Sequence, residues 1–348
     1  IEETGCGLVG YLDRYSKQRT QLLKRRGGLV ADHREPVATT WKLSFQKVEQ
    51  ANPAAADLLR LCAFLAPDAI PEEVITEGAP DLTPALQAVA IDAVELDSAI
   101  EELRKYSLVR RDANDQTLTI HRLVQAVLKD EMDEETQHQW AERVVRAVND
   151  AFPDVEYETW PLCRRLLPHA QVCAELIKQW DMAFPEVGGL LDQVGWYLRE
   201  RGQYLEAEPL SKQALAMRER VLGSEHIDVA FSFNNLAVLY QAQGNYAEAG
   251  MLLNRALAII EKTQGPDHPD VAASLNNLAA LYIDQGKYAE AEPLSQRALA
   301  IWGKILGPES YDVATSLNNL AFLHEAQGKY AEAEPLYQRS LKIREKTL

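Results

Sequence analysis

The sequence predicts a mainly all-α protein: a helical module with a small β-hairpin, followed by an α-solenoid. Three observations carry this. Four glycines, Gly202, Gly244, Gly286 and Gly328, stand 42 residues apart, and whole strings repeat around them. Q-Y-L-E-A, N-Y-A-E-A, K-Y-A-E-A and K-Y-A-E-A follow them, and F-N-N-L-A, L-N-N-L-A and L-N-N-L-A precede the last three. A fixed period of this size means stacked supersecondary units with function on a shared surface. Within each unit the apolar residues fall at helical spacing, whereas one upstream stretch has an apolar period of two.

In chain order, Pro36 to Phe45 opens a helix, and Ala51 to Leu65 is a strongly apolar one with Leu58, Leu61, Cys62 and Leu65 on one face. Ala66-Pro67-Asp68 ends it, and Pro71-Glu-Glu-Val-Ile starts a short helix. Leu96 to Tyr106 is another, with Ile100 and Leu103 inward. Leu108 to Arg111, a polar turn at Asp112–Asp115, and Thr117 to Ile120 then form the hairpin. His121 opens a helix carrying Leu123, Val124, Val127 and Leu128. Trp160, Trp180 and Trp196 read as packing that joins the following helices to the solenoid.

The unit from Asp228 to Thr263 shows the repeat. Val229, Phe233, Leu236, Ala237 and Tyr240 form one apolar stripe, and Gly244 ends that helix. A second helix starts near Tyr246 and carries Ala249, Leu252, Leu253, Ala256, Leu257 and Ile260. Ala237, Ala249 and Ala256 are small enough for close helix approach. Gly265-Pro266-Asp267 breaks the chain before the next unit. Asp270 and Asp312 are expected N-caps, and Pro209, Pro293 and Pro335 are expected in the first turn of the second helices.

The bulk numbers exclude several classes. The 348 residues are 47% hydrophobic and 25% charged, ordinary globular material of more than one domain. A formal net charge of −16 argues against nucleic acid and anionic membrane as partners. Cys6, Cys62, Cys163 and Cys173 form no C-x-x-C pair, so neither disulfide nor zinc is expected, and reduced thiols fit a cytoplasmic protein. No apolar run is long enough to span a membrane. No G-x-x-x-x-G-K-[ST] occurs, so no ATP hydrolysis is expected of this chain. The start without Met reads as an excised fragment. The end, on a repeat helix without a polar cap, implies that the natural protein continues and leaves that helix open to self-association.

The repeat resembles the tetratricopeptide repeat (TPR): Leu, a small residue and Tyr on the first helix, then G-x-Y-x-E-A and A-L. The period and L-N-N-L-A resemble its kinesin-light-chain variant. The resemblance covers four units within 186–348; the first departs, with Asp192-Gln193-Val194-Gly195-Trp196 in place of the Asn pair. Upstream, L-L-R-L-C-A-F-L-A-P-D-A-I-P, Y-S-L-V-R-R and I-H-R-L-V-Q resemble the winged-helix region of bacterial NB-ARC–TPR proteins, which are STAND-class nucleotide switches. The implied fold is a winged-helix domain followed by a TPR superhelix. Residues 1–35 would end the helical domain after a missing nucleotide-binding core, 36–132 form the winged-helix domain, 133–185 a helical connector and 186–348 the four repeats.

This resemblance implies a sensor half in which the repeats hold a protein or peptide ligand and the winged helix relays binding to the absent core. A constitutive scaffold or adaptor is the alternative, with a transcription regulator behind it. The helix before the hairpin carries Glu101 and Glu102 beside Arg104 and Lys105, a mixed face poorly suited to DNA. His121 matches the His of the family's M-H-D motif, which implies contact with an ADP phosphate in the full-length protein; here the third residue is Arg122 rather than Asp. The other reading is that His121 caps its helix or packs on the hairpin. ADP or ATP would be the full-length protein's cofactor, with none in this chain.

In the resembled family, the position of Asn235, Asn277 and Asn319 faces the concave groove and bonds peptide backbone. An Asn amide offers both a donor and an acceptor, which suits this. Gln193 holds the same position in the first unit, and Asn234, Asn276 and Asn318 lie one step round. The other reading is that one Asn of each pair ties neighbouring repeats together. Phe231, Val238, Ala273, Ala280, Thr315 and Phe322 stand where a carboxylate clamp would need Lys and Arg, so a neutral, partly apolar groove is expected. His226 and His268 recur with the period and read as loop architecture rather than a metal site.

Overall fold

A computed structural model describes residues 37–347, so the expectation for residues 1–35 lies outside the described residues. Among the described residues the chain is mainly α-helical with one small sheet. It divides into two compact units between Gln193 and Val194.

In the first unit, α1 (Val37–Ala51) and α2 (Pro53–Ala63) are separated by Asn52. The Asn52 side chain accepts from the Ala55 N–H at 3.0 Å, and Pro53 fills a first turn that needs no N–H. Leu58, Leu59, Leu61 and Cys62 of α2 are wholly buried. The carbonyls at its C-terminus are satisfied from afar. Buried Gln125 donates through Nε2 to the carbonyls of Cys62 and Leu65, both at 2.9 Å.

Next come β1 (Ile70–Pro71), α3 (Glu73–Thr76), α4 (Pro84–Ala90), α5 (Ala93–Lys105), β2 (Val109–Asp112), β3 (Thr117–Ile120) and α6 (Arg122–Glu131). The expected hairpin is present but has a third strand. β1 pairs antiparallel with β3 in the order β1-β3-β2, Ile70 opposite Leu118 and Val109 opposite Ile120. A two-residue strand is too short to show alternation, so the sequence pattern could not reveal it. The turn is closed by Asp112, whose Oδ1 accepts from the N–H groups of Asn114 and Asp115 at 3.0 and 3.4 Å.

Two longer helices follow, α7 (Glu134–Ala151) and α8 (Trp160–Gln179). Arginine forks tie this part together. Arg111 on β2 donates to both oxygens of buried Glu72 at 2.7 Å. Arg165 on α8 donates to both oxygens of Glu73 at 2.8 and 3.1 Å, and to the Asp115 carbonyl at 2.9 Å. Adjacent glutamates thus hold the hairpin on one side and α8 on the other. Trp160 tilts on Tyr157, Trp180 stacks on His138, and Trp196, 47% exposed, has Arg199 5.5 Å from its ring. Cys62, Cys163 and Cys173 are buried free thiols whose pKa burial raises.

Helix α9 (Pro185–Glu200) spans the division between the units, and α10 (Tyr204–Leu222) follows. Three further pairs are α11 (Ile227–Ala242) with α12 (Tyr246–Gln264), α13 (Pro269–Asp284) with α14 (Tyr288–Ile305), and α15 (Tyr311–Ala326) with α16 (Tyr330–Thr347). Gly244 and Gly286 take φ of 80° and 71° with open space around them, so the requirement is conformational rather than steric. One apolar core runs from Val229 and Phe233 of α11 to Ile343 of α16. Ala237, Ala249 and Ala256 are fully buried in the core, as close helix approach demands.

Two local expectations are corrected. The first helices start earlier than Asp270 and Asp312, and their N-caps are His226, His268 and Ser310. Each imidazole accepts through Nδ1, from the N–H of Asp228 at 3.2 Å and of Asp270 at 3.3 Å. Pro209, Pro293 and Pro335 lie inside the second helices rather than in the first turn, because those helices already begin at the tyrosines.

Candidate binding surfaces

In the second unit, first helices stand beside first helices. Asn234 on α11 donates to Ser274 on α13 at 3.0 Å, and Gln241 donates to Asp284 at 2.7 Å. Asn319 on α15 donates to Asn276 on α13 at 2.8 Å. Second helices likewise pair, Arg255 with Glu219 at 3.3 Å and Arg297 with Glu261 at 2.7 Å. The first helices therefore form a continuous wall.

The six asparagines of that wall are all half-buried, but they divide. Asn234, Asn276 and Asn319 bond neighbouring repeats. Asn235, Asn277 and Asn318 make no side-chain hydrogen bond among the described residues. The second Asn of the pair is thus a free amide in the middle repeats, whereas Asn319 in the last repeat is drawn into the stack. Ser316 stands where Ser274 serves Asn234, and its buried hydroxyl has no partner. Gln193 is also engaged: its amide donates to Asp154 at 2.9 Å, because its part of α9 belongs to the first unit. Phe231 and Phe322 on the wall are 38% and 50% exposed, and Val238 and Ala280 are half-buried.

A second surface lies at the hairpin. His121 is the N-cap of α6, and its Nδ1 accepts from the Leu123 N–H at 3.1 Å. This bond places the ring proton on Nε2, which is left to donate. The ring also lies 5.9 Å from that of Trp41. His121 lines a cleft of about 470 Å³ with Arg110, Arg122, Ser107, Asp68 and Thr119. Neither Arg110 nor Arg122 has an ion pair among the described residues. The sequence singles out His121 but cannot set Arg110 beside it, because a hairpin's two sides cannot be brought against a helix start by pattern alone.

A tetratricopeptide-repeat family model matches residues 190–249, 228–301 and 270–346. The helix pairs are tetratricopeptide repeats. Residues 46–137 match a domain of unknown function (DUF7779). A nucleotide-binding leucine-rich repeat (NLR)-like protein of the fungus Hyaloscypha variabilis is 33% identical over 210 residues, which are 60% of this chain and 20% of that protein. The chain thus spans about a fifth of the length of this relative. A crystal structure of TPR-like repeats assigned to a kinesin light chain of Podosopora anserina is 30% identical, covering 61% of this chain and 95% of that one, with a TM-score of 0.44. BtubC (BKLC) from P. vanneervenii is 17% identical, covering 79% and 89%, with a TM-score of 0.42.

The tetratricopeptide repeat is a scaffold for protein interaction, and protein partners are what such repeats bind. Among the described residues no helix is long and apolar enough to cross a membrane.

Proposed function

We propose that this chain is the ligand-sensing and regulatory half of a STAND-class switch. An extended segment of a protein partner lies along the wall of first helices, its backbone held by the amides of Asn235 and Asn277 and its apolar side chains by Phe231 and Phe322. The observation that carries this is the pair of free, half-buried amides, Asn235 and Asn277, at the same position of adjacent repeats, beside Asn234 and Asn276, which bond neighbouring repeats. A half-buried amide without a partner is stabilised by any ligand that satisfies it.

The first unit has the element order of a winged helix, helices and then a strand pair, and the NLR-like relative supports a nucleotide context. In this reading an upstream nucleotide-binding domain presents ADP to the hairpin cleft. His121, Arg110 and Arg122 fit a phosphate group: two cations and one N–H donor, none held by another side chain. A ligand shifts such a switch only through different affinities for its two states.

Titrating ADP into this chain is expected to shift the resonances of His121, Arg110 and Arg122, and alanine at His121 weakens the effect. Absence of any shift removes the nucleotide role and leaves a constitutive adaptor. The wall is tested separately: with Asn235 and Asn277 both changed to alanine, partner capture from the native host should fall while the melting temperature holds.

A further inference from the structure

The repeat pattern breaks on α12, and a cleft lies there. Glu208, Glu292 and Glu334 recur with the period on the second helices, but α12 carries Gly250 instead. Glu208 accepts from Lys212 at 2.7 Å and from Gln243 at 3.2 Å, and these bonds hold its carboxyl below the ordinary range. Glu292 lies 3.9 Å from the Nζ of Lys329. By the period, the counterparts of Gln243 and Lys329 beside Gly250 are Gln285 and Lys287. Neither side chain has a hydrogen bond or ion pair among the described residues; Lys287 keeps a contact of 5.7 Å with the Tyr282 ring. Both line a cleft of about 670 Å³ together with Tyr246, Gly250, Tyr282 and Asp284.

We propose that this cleft binds a glutamate or aspartate side chain from an extended segment of a partner protein, which supplies the carboxylate that Glu208 and Glu292 supply at the equivalent junctions. Lys287 contributes the charge and Gln285 a neutral N–H donor. Tyr246 and Tyr282 offer ring faces to the aliphatic stem beside the carboxylate. Asp284 is already held by Gln241 at 2.7 Å, and its charge disfavours a dianionic group such as phosphate. One ammonium, one amide and a nearby carboxylate suit a single negative charge. None of the Asn positions lines this cleft, so the proposal does not depend on the wall reading.

Gly250→Glu is the informative variant. A β-carbon at Gly250 would meet only the Leu281 side chain at 3.5 Å, an ordinary contact, and glutamate suits a helix interior better than glycine. This variant therefore folds and carries its own carboxylate into the cleft. The probe is an acetylated, amidated peptide with a central glutamate among leucines and alanines, set against its glutamine counterpart and against free propionate. With the full chain, amide shifts are expected to concentrate at Tyr246, Gln285 and Lys287. The glutamine peptide should bind about tenfold more weakly, as should the glutamate peptide to Gly250→Glu and to Lys287→Ala. Equal affinity for the two peptides, full affinity in Gly250→Glu, propionate binding as well as the peptide, or no shift at these residues would each overturn the proposal.

Discussion

Asn234 and Asn235 are neighbours on one helix, yet their side chains do different work. Asn234 satisfies Ser274, which is fully buried, so Asn234→Ala leaves a hydroxyl without a partner. We expect a loss of about 1–2 kcal/mol in denaturant unfolding. Asn235→Ala breaks no bond among the described residues and should change stability by less than about 0.5 kcal/mol. The sequence showed that the Asn pairs matter but not which member is free. The deciding atom is a serine in the next repeat, and helical phase alone cannot choose between adjacent positions on a wall. His169 offers a second test at this scale. It is buried against the Ala69 carbonyl at 3.2 Å, and burial pushes its pKa down to about 4. Between the ordinary value near 6.5 and about 4, the unfolded chain binds a proton that the folded chain refuses. Stability therefore falls as pH drops through that window and is level above it, by an amount of order 3 kcal/mol. Unfolding followed across this range should lose that slope in His169→Gln; an unchanged slope would assign it to other groups.

Elements of the first unit are joined by single close contacts that the sequence barely signals. Gly78 precedes the short turn Ala79–Asp81, and a β-carbon there would fall 2.5 Å from both the Ala147 Cβ and the Val74 carbonyl oxygen. Gly78→Ala should therefore destabilise by about 1–3 kcal/mol, read by thermal melting, because neither neighbour is a flexible side-chain end. Breaking Arg111 away from Glu72 should do more than breaking Arg165 away from Glu73. Glu72 is 6% exposed and would be left as a buried charge, whereas the Arg165 pair is partly wetted. Double-mutant cycles on both pairs check that order. The apolar helices and the hairpin were readable because each carries a strong period. The strand Ile70–Pro71 and the Glu72–Glu73 junction were not, since pairings between distant short segments leave no periodic trace.

For the molecule as a whole, periodicity made the repeat unit almost fully legible, down to its glycines and apolar stripes. The same period places ion pairs between Lys262 and Glu225, Lys304 and Asp267, and Lys346 and Glu309, at 3.0, 2.8 and 2.9 Å. All are well exposed, so raising the salt should leave the melting temperature of the repeats nearly unchanged. The solenoid is held instead by its continuous apolar core, which frees its surface for partners. Site-specific photo-cross-linking can locate those partners. A cross-linker at Phe231 or Phe322, both exposed on first helices, should capture a protein from the native host, whereas one at Leu205 or Leu341, exposed on second helices, should not. Capture only from Leu205 and Leu341 would contradict the wall of first helices as the binding surface.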